Sequence, residues 1–144
     1  YEGGDYENLD AVVMDAVDSL IDVWHQEDPD LVVLLGRGLM ADKYFPLVNK
    51  SQAPSEMMAA DLVVSQKRIG DLPAIKVPFM PAGAMMIIPF DNLSIYVQEG
   101  ARRRNIEENS KRDRVENYES SNDAYVVEDY GRGCLIENID TTKP

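Results

Sequence analysis

Three observations in this sequence predict an α+β fold. An amphipathic helix opens the chain, a five-residue apolar run suited to a buried strand follows it, and the second half breaks into short strand-like runs punctuated by proline and glycine. Helices come early and strands cluster late, so a repeating βαβ array is not expected.

The opening helix is read from Leu9, Val12, Val13, Ala16, Val17, Leu20, Ile21 and Trp24, which recur at three- and four-residue spacing. Asp10, Asp15, Asp18 and Asp22 fall mostly between them, giving one apolar and one acidic face. Asn8 suits the N-cap, and Pro29 stops the helix. Leu31 to Leu35 is continuously apolar, as a strand covered on both faces would be. Gly36-Arg37-Gly38 turns the chain into a short helical segment, Leu39 to Phe45, which Pro46 ends. Ser55 can cap a helix from Glu56 to about Lys67, with Gly70 as its stop. Pro73, Pro78, Pro81, Gly83 and Pro89 then punctuate strand candidates at Ala74 to Val77 and Ala84 to Ile88. Leu93 to Val97 alternates as a half-buried strand does, and Tyr125 to Val127 and Leu135 to Ile139 are further short apolar runs. Met57-Met58 and Met85-Met86 read as adaptable core filler.

Composition bounds the function. A chain of 144 residues fits one domain or one large piece of a bigger one, and can bury about two-thirds of its unfolded surface. Its 44% hydrophobic and 28% charged residues are ordinary for a globular protein. A net charge of −12 argues against general affinity for duplex DNA, which needs a basic surface. No apolar run is long enough to span a bilayer, and the acidic, polar opening YEGGDYENLD lacks a signal-peptide pattern. Residues 1–7 read as a linker and 140–144 as a tail, so the chain is expected to be the C-terminal piece of a longer protein.

Several motifs invite chemical readings. Gly36, Gly38 and Ala41 match the G-x-G-x-x-G/A pattern of a dinucleotide-binding turn, the basis of an alternative reading as a nucleotide-binding enzyme domain. Against it, Pro46 truncates the helix that would follow, and Asp61 sits in a helix rather than on a second strand. A strand-to-helix turn explains the glycines more simply. His25 has no evident nucleophile to serve and reads as a helix-end residue suited to the macrodipole. Cys134, the one cysteine, cannot form an intrachain disulfide and reads as a buried, inert thiol. Glu107 and Glu108 are adjacent, which on most backbones points them apart. No cofactor and no metal site is expected.

The sharpest local feature is charge. Arg102, Arg103, Arg104, Lys111, Arg112 and Arg114 alternate with Glu107, Glu108, Asp113, Glu116 and Glu119. Phosphate contact, a solvated loop and intersubunit ion pairing all remain open. Nearby acids largely neutralise the patch, and nucleic-acid binding would want a net basic one. Arginine forks pairing across copies of the chain fit the mixed signs best.

Four segments carry a resemblance: DLVVLLGRGLMADKYFPLVN (Asp30 to Asn49), AADLVVSQKRIGDLPA (Ala59 to Ala74), DNLSIYVQEGARRR (Asp91 to Arg104) and KRDRVENYESSNDAYVVEDYG (Lys111 to Gly131). From about Asn8 to Ile139 the chain resembles the C-terminal part of the major capsid protein of peduovirus-type tailed phages or prophages. The resemblance implies the Hong Kong ninety-seven capsid fold, with residues 8–139 forming the axial domain plus C-terminal strands of the peripheral domain. The opening helix and Leu31 to Leu35 would belong to the axial domain, while Tyr125 to Val127 and Leu135 to Ile139 would close the peripheral sheet. It further implies a non-enzymatic subunit that self-assembles as hexamers and pentamers into an icosahedral head around double-stranded DNA. A scaffolding protein and a prohead protease would be partners. The packaged DNA would lie near without specific binding, and no membrane would be involved. The expected location is the virion, and the bacterial host cytoplasm during assembly. Distributed exposed ion pairs, each contributing about 0.2–1 kcal/mol, would then hold the lattice through avidity.

Overall fold

A computed structural model describes residue 6, residues 8–49 and residues 54–140. The linker and tail expected at 1–7 and 140–144 lie outside the described residues except for Tyr6 and Asp140. The chain divides into two compact units, residues 1–92 with 129–144, and residues 93–128. The α+β expectation holds.

In the first unit, α1 (Leu9–Leu20) starts where Asn8 places its Oδ1 2.9 Å from the Ala11 N–H. The helix ends earlier than its apolar spacing suggests. Ile21 turns to an extended conformation and dives into the core, and the Gln26 amide donates to the Asp18 and Ile21 carbonyls at 3.0 Å each. Those bonds satisfy carbonyls that a continuing helix would have used. A 3₁₀ turn, Val23–His25, follows, leaving Trp24 77% exposed instead of buried at the end of the stripe.

Next come β1 (Leu31–Leu35), α2 (Arg37–Val48), α3 (Pro54–Gln66), β2 (Arg68–Ile69), β3 (Leu72–Lys76) and β4 (Met85–Pro89). The helix expected to stop at Pro46 runs on through it. Pro46 lies in the last turn, so it forfeits a single i→i−4 bond to the Asp42 carbonyl with little helix left to disrupt, and the Asn49 N–H closes that turn on the Phe45 carbonyl at 2.9 Å. Gly70 is not the stop of α3 either. Lys67 ends that helix in the left-handed region (φ 48°). Gly70 (φ 55°) and Asp71 (φ 67°) instead form the two-residue turn of the β2–β3 hairpin, both left-handed as a type I′ turn requires.

The sheet order is β2-β3-β1-β4-β9, with β9 at Cys134–Ile136. β1 is central: it runs parallel to β3 (Val33 opposite Ala74) and antiparallel to β4 (Val33 opposite Ile87). One parallel crossover, through α2 and α3, thus sits in an otherwise antiparallel sheet. Leu31, Val33, Leu35, Met85 and Ile87 share one sheet face and pack with Val13, Ala16 and Ile21 from the α1 segment and Leu39, Met40 and Tyr44 from α2. Met85 is core as expected, but Met57 and Met58 are exposed on α3. Lys43 ties three elements together: its ammonium lies 2.6 Å from both Asp10 Oδ1 and the Arg68 carbonyl, while the Gly70 N–H donates to the same Asp10 oxygen at 2.8 Å.

The second unit contains β5 (Leu93–Val97), β6 (Arg103–Asn109), β7 (Arg114–Ser120) and β8 (Asp123–Val127). β5 pairs with β8, and β6 with β7, both antiparallel. It is one long hairpin excursion made of two successive two-stranded ribbons. The runs expected to share a sheet therefore part company. Tyr125 to Val127 lie in the ribbon, whereas Leu135 and Ile136 add to the five-stranded sheet by pairing with Met86 and Met85. Cys134 and Ile136 fall on the core face there, and burial of that face outweighs the sequence proximity of the two runs.

Candidate interaction surface

The ribbon has no buried residue anywhere between Leu93 and Glu128. Period-two alternation puts Leu93, Ile95, Val97, Tyr125 and Val127 on one face of the β5–β8 ribbon, with Tyr125 84% exposed. In the β6–β7 ribbon, Ile106 and Val115 are exposed on the face that also carries Arg104, Glu108, Asn117 and Glu119. Two-stranded ribbons with bare apolar faces are marginal in water.

The charges of this ribbon sort themselves by register. Glu107 stands directly across from Glu116, a like-charge pair that repels unless compensated. Tyr118 Oη donates to Glu116 at 2.5 Å, Arg114 lies 2.6 Å from it and Asn109 3.1 Å, holding its carboxyl below the ordinary range. The same contact with Glu116 raises the Tyr118 hydroxyl. Glu119 accepts Arg104 at 3.2 Å and Arg102 at 3.4 Å. Of the six cations singled out from sequence, Arg102, Arg104 and Arg114 are thus engaged within the ribbon. Arg103, Lys111 and Arg112 are exposed, with no carboxylate within 4.0 Å among the described residues. Lys111 and Arg112 occupy the hairpin tip, where Asp113 turns the chain at φ 49°. Glu107 and Glu108 point to opposite faces of β6, as adjacent strand residues must.

In the first unit, the two chain ends that lead into the ribbon are clamped together. Asn92, 1% exposed, donates to the Asp129 carbonyl and accepts the Asp129 N–H, both at 2.8 Å. Beside it, Arg132 reaches Asp28 Oδ2 through two nitrogens (2.7 and 3.1 Å) and Asp91 Oδ2 at 3.0 Å. The N–H of Asp30 and then Arg132 hold the Asp28 carboxyl below its ordinary value. Sequence reading missed this set, because its members lie 104 positions apart in the case of Arg132 and Asp28. Only the Asn92-to-Asp129 bracket around alternating strands hints at it.

The other motifs come to little. Gly36 caps α2 in an ordinary extended conformation (φ −76°, ψ 165°) that any residue adopts, and among the described residues Gly38 has no neighbour within 4 Å of its Cβ position. His25 Nε2 lies 3.4 Å from Asp129 Oδ2. Cys134 is half-buried, and that burial pushes its thiol up, away from the reactive thiolate. Among the described residues, no three His, Cys, Asp or Glu side chains are placed to hold a metal ion, and no helix is long and apolar enough to cross a membrane.

Comparison with known proteins converges on one family. Residues 1–139 match the family described as "Phage major capsid protein, P2 family". The "Capsid proteins" of Escherichia phage P2 are 64% identical over 138 residues, covering 96% of this chain and 39% of theirs. The "Major capsid protein" of Serratia phage KSP20 is 44% identical over 144 residues, covering 98% of this chain and 41% of its own length. A chain in the solved structure "Satellite phage P4 procapsid including size determination (Sid) protein" superposes with TM-score 0.84 at 61% identity, over 97% of this chain and 41% of that one. The chain spans about two-fifths of the length of the curated relatives it matches. Matched along nearly its whole length in sequence and in fold, this chain belongs to the P2 family of phage major capsid proteins.

Proposed function

We propose that this chain is part of a phage shell subunit, non-enzymatic, acting by repeated association with copies of that subunit. The observation that carries the reading is the ribbon: 36 residues, none buried, with one apolar and several charged faces. Such a unit gains stability by being covered. Its membership in a capsid family makes neighbouring shell subunits, in hexamers and pentamers of an icosahedral head enclosing double-stranded DNA, the fitting cover. A scaffolding or size-determining protein and a prohead protease are the further partners of this reading. Its location is the virion, after assembly in the bacterial cytoplasm.

Within it, the six cations divide by what they already touch. Arg103, Lys111 and Arg112 pair with acids of neighbouring subunits, while Arg102, Arg104 and Arg114 mainly stiffen the ribbon. The test is a chimera in which the matching 138 residues of the Escherichia phage P2 capsid protein are replaced by this chain. The chimera is supplied to a P2 phage lacking its own copy, and electron microscopy scores the heads. Heads from the parent chimera and none from the Arg103→Glu, Lys111→Glu, Arg112→Glu triple variant are expected. Normal heads from the triple variant would overturn the cation assignment, and no heads from the parent would overturn the shell reading itself. No observation favours a nucleotide-binding enzyme built on Gly36, Gly38 and Ala41.

A further inference from the structure

The loop joining β3 to β4 holds one residue that the fold of its own unit does not explain. Phe79 is 101% exposed, so its ring is bare among the described residues of its unit, yet its backbone sits at φ +69°. An aromatic residue in the left-handed region is a genuine outlier, because its Cβ crowds the following carbonyl. Glycine would take this conformation freely. A chain under pressure only to fold would gain by dispensing with the phenyl ring.

The loop is also held firmly. The Val77 N–H donates to the Leu35 carbonyl at 3.0 Å, Ala84 N–H to Pro81 O at 3.2 Å, and Ile139 N–H to Gly83 O at 2.9 Å. Pro78 and Pro81 fix φ on either side of the Phe79-Met80 pair. A ring displayed on so constrained a backbone loses little freedom when it docks, and aromatic anchors of this kind dominate interface energies.

Charge says what it docks against. Residues 93–128 carry six Lys and Arg and eight Asp and Glu, a net of −2, so the rest of the chain holds −10 of the total −12. Two copies therefore repel when their first units approach. Residues 77–90, which include this loop, contain no charged side chain. They form an uncharged window through which like-charged copies can meet without that repulsion.

We propose that Phe79 is a docking anchor that inserts into an apolar patch of an adjacent copy of this chain. Its strained backbone is the cost of presenting it. The proposal rests on the shell-subunit reading above. Contact of one patch with a different patch on the next copy is the arrangement that closes rings.

The experiment separates folding from assembly by two substitutions at one position. Phe79→Gly relieves the strain and removes the ring, so it should raise the Tm of the 144-residue chain by about 3 °C while heads from the chimera fall at least about tenfold. Phe79→Ala keeps the strained φ and removes the ring, so Tm should stay within about 1 °C and heads should fall equally. Opposite signs for stability and assembly in the glycine variant are the signature of an anchor. Heads at the parental level from both variants would overturn the proposal while leaving the shell reading intact. A drop in Tm for Phe79→Ala would also overturn it, by showing that the ring serves the fold. Absence of heads from the parent chimera sinks the shell reading and this proposal with it.

Discussion

Replacing Asn92 by alanine tests whether the ribbon depends on the clamp at its root. Asn92 makes two hydrogen bonds of 2.8 Å, one as donor and one as acceptor, to the Asp129 backbone, from a side chain that is 1% exposed. A net hydrogen bond contributes about 1 kcal/mol, so losing both costs about 2 kcal/mol. Both bonds are part-buried, so any freed Asp129 group that stays dry adds to that loss and about 2 kcal/mol is the lower figure. At about 3 °C per kcal/mol for a chain of this size, Tm should fall by at least about 6 °C, measured by circular dichroism. Amide exchange should quicken first at Leu93 and Val127, the pair that opens the β5–β8 ladder next to the clamp. Asn92→Asp supplies the control. Its carboxylate can still accept the Asp129 N–H but faces the Asp129 carbonyl oxygen with no proton to give. Folding therefore raises the pKa of the new carboxyl. Its penalty relative to the parent should be full at neutral pH and shrink as pH falls through that raised value. A loss below about 0.5 kcal/mol for Asn92→Ala, or a penalty for Asn92→Asp that does not respond to pH, would refute the clamp.

Other expectations follow from the same geometry. A Cβ on Gly70 would lie 2.7 Å from Val13 Cγ1 at φ +55°, whereas one on Gly100, at φ +75°, meets nothing within 4 Å among the described residues of its unit. Gly70→Ala should therefore destabilise by about 3 kcal/mol and Gly100→Ala by about 1, and equal urea midpoints for the two would remove the steric argument. Burial raises the Asp10 carboxyl, but Lys43 and the Gly70 N–H outweigh it and leave the folded pKa below the ordinary value. Asp28 is lowered as well, by the Asp30 N–H and by Arg132. Stability from both is present above the unfolded pKa of about 4 and is lost as pH falls through the folded values. An acid titration of Asp10→Asn should accordingly be flatter than the parent below about pH 4. Glu119→Gln, which weakens the hold on exposed Arg102 and Arg104, should change stability by less than about 0.5 kcal/mol in chemical denaturation.

Sequence alone determined the elements whose signal is local. The spacing of Leu9 to Trp24 with Asn8 before it, the unbroken run Leu31 to Leu35 and the alternation of Leu93 to Val97 each state their own period, and each is found as a helix or strand, the helix only as far as Leu20. The charged stretch from Arg102 to Arg114 was legible as a mixed-sign surface for the same reason. Which of its cations are already paired was not, because that follows from the register of β6 on β7, set by residues across the ribbon. Other decisions belonged to the tertiary structure. Trp24 lies exposed because Gln26 and Ile21 end the helix at Leu20, and Pro46 costs α2 only one bond because the helix closes on Asn49 soon after it. Leu135 and Ile136 leave the ribbon for the central sheet because burying Ile136 and Cys134 beside Met85 and Ile87 outweighs proximity along the chain. The clamp of Asn92 on Asp129 and the bare ring of Phe79 carry no periodic mark at all. Each is a relation between one side chain and its distant surroundings, present for Asn92 and absent for Phe79, and only the folded chain decides which.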